Sequence, residues 1–272
     1  TLIVKKPGEN QETEVVVSGI SNKEFAKRVA ARYNAPKEET FQLEILADKT
    51  TAVLTNNDFD GTNTDGKDND EFNEYAFRLL KNKSEVQNLI IDLRKNGGGS
   101  PRGLYNLISY LADEGIQLYK KVERNDKALF FKKDGTGKYA APKYVRSWRP
   151  KHMENGFTGN VYILTSGYTY SLAGLFTAMM SHHTNAAIVG EETGGGFYGA
   201  TAGKQKVVSL MNTQLRLVIL DIRFLTNVSG QPEGRGTLPD HEVTQTYEDF
   251  MTNTDTEMEF TLNLIRKAGS EN

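Results

Sequence analysis

Residues Asn88–Leu93, NLIIDL, form a short apolar run that stops at Arg94-Lys95-Asn96-Gly97-Gly98-Gly99-Ser100 and is followed at once by Pro101. A mostly apolar run of this length is the pattern of a strand buried on both faces, which is the environment of a parallel sheet. Pro at a first helical position is favourable, so a helix is expected from Pro101 to about Ala112. The same strand–loop–helix order returns with Val161–Leu164, the turn Thr165–Tyr170 and a helix over Ser171–His182. Ala186–Val189 is a further buried strand, closed by Gly190-Glu191-Glu192-Thr193-Gly194-Gly195-Gly196. Buried strands alternating with helices specify an α/β core.

Around this core the periodicity predicts strands at Glu12–Val17, Phe41–Ala47, Thr50–Leu54 and Leu215–Phe224, and helices over Asn22–Tyr33, Glu71–Lys83 and Thr254–Lys267. The chain has 272 residues, enough for one large domain with a small appendage. Lys plus Arg number 33 against 35 Asp plus Glu, a net charge of −2, which gives no general electrostatic attraction to nucleic acid or to an anionic membrane. The longest apolar stretches, near Asn88–Leu93 and Leu215–Ile222, fall far short of the ~20 residues of a membrane span. Cysteine is absent, which excludes disulfides, thiol nucleophiles and cysteine–metal sites and leaves the redox compartment open. The opening TLIVKKPGENQETEVVV has neither an initiator Met nor the pattern of a signal peptide, and it reads as part of a longer precursor.

Two segments carry candidate chemistry. Gly97–Gly99, between a strand and a helix, lets the backbone approach a ligand and exposes amides able to hold a phosphate or a developing oxyanion. No Gly-Lys-Ser/Thr follows, so it is not a P-loop, and it lacks the spaced glycines of a dinucleotide site. A tight structural turn explains the glycines equally well. Ser171 sits at a strand-to-helix junction, where a serine is either an N-cap or a nucleophile. Thr169 and Ala173 occupy the glycine positions of a G-x-S-x-G elbow, so that signature is absent. Of the four histidines, His182 lies eleven residues beyond Ser171 on the same expected helix. That is about 16 Å at ~1.5 Å per residue, too far to take the serine proton. His183 shares this position, and His152 and His241 read as surface or packing residues. The acidic stretch Asn56–Asp70 fails the EF-hand register, because Asn63 stands at the sixth position counted from Asp58, and it reads as a solvated loop. No cofactor and no metal site are expected.

Four ordered blocks then resemble the tail-specific, or C-terminal-processing, serine peptidases: NLIIDLRKNGGGS, GNVYILTSGYTYSLAGLFTAMM, AAIVGEETGGG and EGRGTLPDHEV. The resemblance implies a crotonase/Clp-protease-like core of stacked strand-strand-helix units over residues 41–272. Residues 1–40 would be the tail of a preceding PDZ-like domain or a linker. It implies Ser171 as nucleophile, with the amides of Gly97, Gly98, Gly99 and Leu172 as the oxyanion hole. Many members carry a catalytic lysine where this chain has Gly196, and Lys204 would serve only after a loop insertion. The tricorn-core branch, which uses Ser, His and Glu, is the nearer match. It implies a His upstream of this chain and Glu233 as the acid that orients it. The resemblance further implies a peptide or unfolded-protein substrate and an exported bacterial location, periplasmic or at the cell surface. A non-catalytic peptide-binding relative and a crotonase-like acyl-CoA enzyme are the alternatives.

Overall fold

In the computed structural model, residues 2–5, 11–32, 39–112, 116–124 and 151–270 are described. They divide into two units, Thr1–Glu38 and Glu39–Asn272. In the first, β1 (Leu2–Lys5) pairs antiparallel with β2 (Glu12–Val15), and α1 follows over Asn22–Arg32. Tyr33, the expected end of α1, lies outside the described residues.

The second unit begins with β3 (Phe41–Ile45) and β4 (Thr51–Asn56), an antiparallel pair, followed by α2 (Asn69–Lys81). Asp68 caps α2 in a reciprocal box: its side chain accepts from the Glu71 N–H while the Glu71 carboxylate accepts from the Asp68 N–H. The helix therefore starts two residues before the expected Glu71. Next come β5 (Asn88–Asp92), α3 (Pro101–Ser109), β6 (Tyr119–Arg124) and β7 (Asn160–Thr165). Then follow α4 (Leu172–His183), β8 (Ala187–Gly190), β9 (Gly199–Ser209) and β10 (Arg216–Thr226). The chain closes with β11 (His241–Glu242), α5 (Tyr247–Thr252) and α6 (Thr256–Ser270).

The central sheet has six strands in the order β11-β8-β7-β5-β4-β3, and every pairing but β3–β4 is parallel. Strand alternation explains the apolar run at β5. Leu89 and Ile91 point to one face, with Leu54, Ile163 and Ile188, against α2, α3 and α4. Ile90 points to the other, with Val53, Leu164 and Val189, against Ile265 of α6. Each of these aliphatic side chains contributes roughly 2 kcal/mol by its burial. A second sheet, in the order β6-β10-β9, is antiparallel. Its strands β6 and β9, together with the short β11, have no counterpart in the sequence expectation. The expected Leu215–Phe224 strand is β10, displaced by one or two residues.

Candidate active site

Three loops leave the carboxyl ends of parallel strands β5, β7 and β8 and are bonded to one another at that edge of the sheet. This is the edge at which open α/β sheets bind ligands. From the β7 loop, the buried Thr169 hydroxyl donates to Leu93 O at 3.0 Å and the Ser166 hydroxyl donates to Arg94 O at 2.7 Å. Tyr170 N–H donates to Asn96 O at 3.0 Å, which ties the same loop to the one after β5. Gly195 N–H, from the loop after β8, donates to Thr169 O at 3.0 Å. A Cβ on Gly195 would stand 3.0 Å from Gly174 Cα and 3.1 Å from Ser171 N, so the backbone of the third loop lies directly against the turn that carries Ser171.

Ser171 occupies φ 52°, ψ −121°, a strained backbone for a residue with a side chain, and it precedes the first residue of α4. Its hydroxyl makes no capping bond, so the N-cap reading of this serine does not describe it. Facing it is Gly98, with φ 112°. A Cβ built on Gly98 would lie 2.8 Å from Ser171 Cβ, 3.1 Å from Ser171 Oγ and 3.1 Å from Leu172 N. The structure thus brings the glycine loop, Ser171 and the first N–H of α4 to one point.

Asn96 shapes that loop. It is fully buried, its Nδ2 donates at 3.0 Å to both Asn56 O and Asn56 Oδ1, and its Oδ1 accepts from Gly98 N–H at 2.8 Å. This corrects one expectation: the Gly98 amide is already hydrogen-bonded and is not a free donor. Among the described residues the N–H groups of Gly97, Gly99 and Leu172 have no hydrogen-bond partner. Asn96 itself was not singled out in the sequence, because an asparagine between Lys and Gly reads as an ordinary turn residue. The Asn56–Gly61 segment, expected to be only a solvated loop, also braces the site. Phe59, 1% exposed, donates its N–H to Gly98 O at 2.8 Å. Among the described residues no cluster of His, Asp or Glu could hold a metal ion.

Ser171 borders two cavities. An open cleft of about 530 Å³ runs past Tyr170, the Gly194–Gly196 loop, Thr201, Arg223 and Arg235. A smaller apolar pocket of about 200 Å³ lies on its other side, against Gly99 and Leu172. None of the four histidines lines either cavity. His182 and His183 sit at the far end of α4, where His183 Nε2 lies 3.0 Å from Asn227 O. His152 Nδ1 is 3.4 Å from Ala112 O, and His241 packs on the Phe260 ring. Lys204 belongs to β9, and its side chain lies outside the described residues.

The segment 231–240 folds onto the loop after β8. Gly236 N–H donates to Glu192 Oε1 at 2.7 Å, and the Arg235 guanidinium pairs with the Glu192 carboxylate. The Arg235 hydrogen bond holds the Glu192 carboxyl below its ordinary pKa against the opposing effect of burial. Glu233 is exposed at this turn, and its carboxylate has no partner among the described residues. Gly234, the residue after it, lines the cleft. Glu192 was read only as part of a glycine-ending block, and its pairing with Arg235 depends on a contact 43 positions away in the chain.

Residues 50–243 match the model of peptidase family S41. The fold is shared with a candidate peptidase from Parabacteroides merdae, at 22% identity and a TM-score of 0.54 over 88% of this chain and 69% of that one. It is shared also with a candidate S41 protease from Bacteroides fragilis, at 18% identity and a TM-score of 0.56 over 86% and 59% of the two chains. Mature CPAF matches at 15% identity and a TM-score of 0.52, over 79% of this chain and 51% of its own. The chain thus spans between about half and two thirds of these structures. With the family model covering most of its length and the α/β core in the crotonase/Clp-like class, the chain belongs to peptidase family S41, a family of serine-type peptidases.

Proposed function

We propose that the protein is a serine endopeptidase that cleaves extended peptides or unstructured protein tails through Ser171. The observation that carries this reading is the Ser171 hydroxyl on a strained turn, beside a glycine loop and a helix N-terminus whose Gly99 and Leu172 N–H groups, like that hydroxyl, have no partner among the described residues. In the proposed reaction Ser171 Oγ attacks the scissile carbonyl carbon. The negative charge that develops on the carbonyl oxygen is held by the N–H groups of Gly99 and Leu172, with Gly97 adjacent. Each such donor is worth roughly 3–4 kcal/mol of transition-state stabilisation. Collapse of the tetrahedral intermediate expels the amine and leaves an acyl ester on Ser171, which water then hydrolyses.

The proton of Ser171 requires a base, and no histidine of this chain lines the cavities at the serine. The proposal assigns that role to a histidine preceding Thr1, oriented by Glu233, as in the tricorn-core branch. The exposure of Glu233 next to the cleft-lining Gly234 supports it. Among the described residues no strand pairs with the edge of β9 opposite β10, and we assign that edge, whose Ala200 lines both cavities with Ser171, as the place where an extended substrate adds a strand. An exported bacterial location belongs to the same proposal and rests on the family resemblance.

That no histidine lines the cleft also favours a second reading, a peptide binder without hydrolytic activity. A fluorophosphonate probe separates the two, since covalent capture needs an activated hydroxyl and an oxyanion hole together. The full-length natural protein is expected to be labelled at Ser171 and to hydrolyse an unstructured protein, and Ser171→Ala to do neither. Full-length protein that resists the probe while retaining peptide affinity is the binder. The acyl-CoA alternative explains only Gly97–Gly99 and does not survive the family assignment.

A further inference from the structure

The apolar pocket beside Ser171 has a composition and a position that the peptidase reading does not use. Its wall includes Leu172 and Leu175 from the first turns of α4, Tyr119 from β6, Phe224 from β10 and Ala202 from β9. Leu175, Tyr119 and Phe224 are buried, and the last two rings pack at 5.1 Å between centroids. Among the described residues no charged side chain lines it. Its floor is shared with the proposed chemistry, because Ser171, Leu172 and Gly99 are all part of its wall. Ala200 borders both the pocket and the open cleft, so β9 runs along the boundary between them.

We infer that this pocket selects the substrate residue on the acyl side of the cut and that it takes a large apolar side chain, of leucine or phenylalanine size. The inference rests on the proposed roles of Ser171, Gly99 and Leu172. The attacked carbonyl carbon is held between those groups, and the side chain nearest to it is the one on its own Cα. A main chain paired along that edge of β9 turns alternate side chains to the two faces of the sheet. The proposal sets the acyl-side residue on the face that carries Ala202 and Phe224, where the pocket meets Ser171. The volume of about 200 Å³ suits this choice, since an apolar cavity of about 150 Å³ already accepts a benzene-sized group. A carboxylate or ammonium would be desolvated there without a partner. The room exists because β9 presents only Ala200, Ala202 and Gly203 to it. Gly203, at φ 91°, admits no side chain, since a Cβ there would lie 2.1 Å from Asp221 Oδ1.

The test uses the full-length natural protein and a set of internally quenched peptides that differ only at the acyl-side residue: Gly, Ala, Leu, Phe, Asp and Lys. The expected kcat/KM for Leu and Phe exceeds that for Gly by about 100-fold, the order a filled apolar pocket provides. Ala202→Leu, which fills the pocket, is expected to reverse the order so that Ala and Gly peptides become the faster substrates. Equal rates across the set, or a preference for Asp or Lys, overturns the pocket assignment while leaving the hydrolase reading intact. If Ala202→Leu does not fold, the wild-type series decides alone. No cleavage of any peptide together with no fluorophosphonate labelling overturns the hydrolase reading and this inference with it.

Discussion

Asn96→Ala removes the side chain that connects the glycine loop to the end of β4. Three hydrogen bonds are lost: two from Nδ2 to Asn56 at 3.0 Å and one from Gly98 N–H to Oδ1 at 2.8 Å. All lie in a fully buried position, so the stranded Gly98 N–H and Asn56 oxygens lose their partners without gaining water. At about 1 kcal/mol net for each bond, with part of the desolvation of the stranded groups added, the expected loss is about 3 kcal/mol. For a domain of this size that lowers Tm by about 6–12 °C. Function should fall further than stability does. Gly98 is the residue that abuts Ser171, and a displacement near 1 Å in a reacting constellation costs about 100-fold in rate. The measurement pairs thermal unfolding with the fluorophosphonate labelling rate of the full-length protein, taken well below the variant's Tm. Asn56→Ala serves as the comparison. It leaves Asn96 Nδ2 a bond to Asn56 O and leaves the Gly98 bond untouched, so it should slow labelling much less. A Tm shift below about 2 °C with an unchanged labelling rate would refute the assignment of Asn96 as the positioning residue of the loop.

Gly98→Ala introduces a Cβ 2.8 Å from Ser171 Cβ at φ 112°. Labelling and hydrolysis should fall by about 100-fold or more, with a backbone strain cost of ~1–3 kcal/mol in chemical denaturation. Ser171→Ala should abolish labelling and change stability by less than about 0.5 kcal/mol, since the hydroxyl makes no capping bond. A large stability loss there would return Ser171 to a structural role. Arg94→Met leaves Asp92, Asp255 and Glu257 without their common guanidinium, a partly buried network whose breakage should cost about 2–4 kcal/mol in denaturant titration. Burial pushes the Asp255 carboxyl up, but the Arg94 hydrogen bond and charge outweigh it and hold the group below the usual aspartate range. Its stabilising effect is therefore complete above the unfolded-state value near 4 and is lost as pH falls through the lower folded value. Wild-type protein should lose stability as the pH falls below about 4, and an Arg94→Met variant with the same acid profile would exclude this pair as the cause.

Much of the core could be read along the chain because its signals are local. The run Asn88–Leu93 is apolar at consecutive positions because both faces of β5 are covered, so a strand flanked by helices follows from the residues themselves. Pro101 after the glycines and the helical spacing of Phe72, Tyr75, Ala76, Leu79 and Leu80 specify α3 and α2 by the same local logic, although Tyr75 is exposed and Phe77 is buried in the face that packs. Strands β6 and β9 are not legible along the chain for the opposite reason. In β9, GATAGKQKVVS, two glycines and two lysines dilute the strand pattern, and it is the antiparallel register with β10 that makes it a strand. Chain order and residue type also singled out Ser171 and the three-glycine loop, since a glycine run between strand and helix and a serine at a strand–helix junction are local features. What each amide faces is not local. That Gly98 N–H is bonded to Asn96, that Asn96 is anchored to Asn56 forty positions earlier, and that Glu192 is tied to Arg235 all depend on loops converging from different strands. The same holds for the pocket between α4, β6, β9 and β10. Side-chain identity and spacing determine which elements form, whereas hydrogen-bond partners and cavities belong to the spaces between elements, which exist only once the sheets have closed.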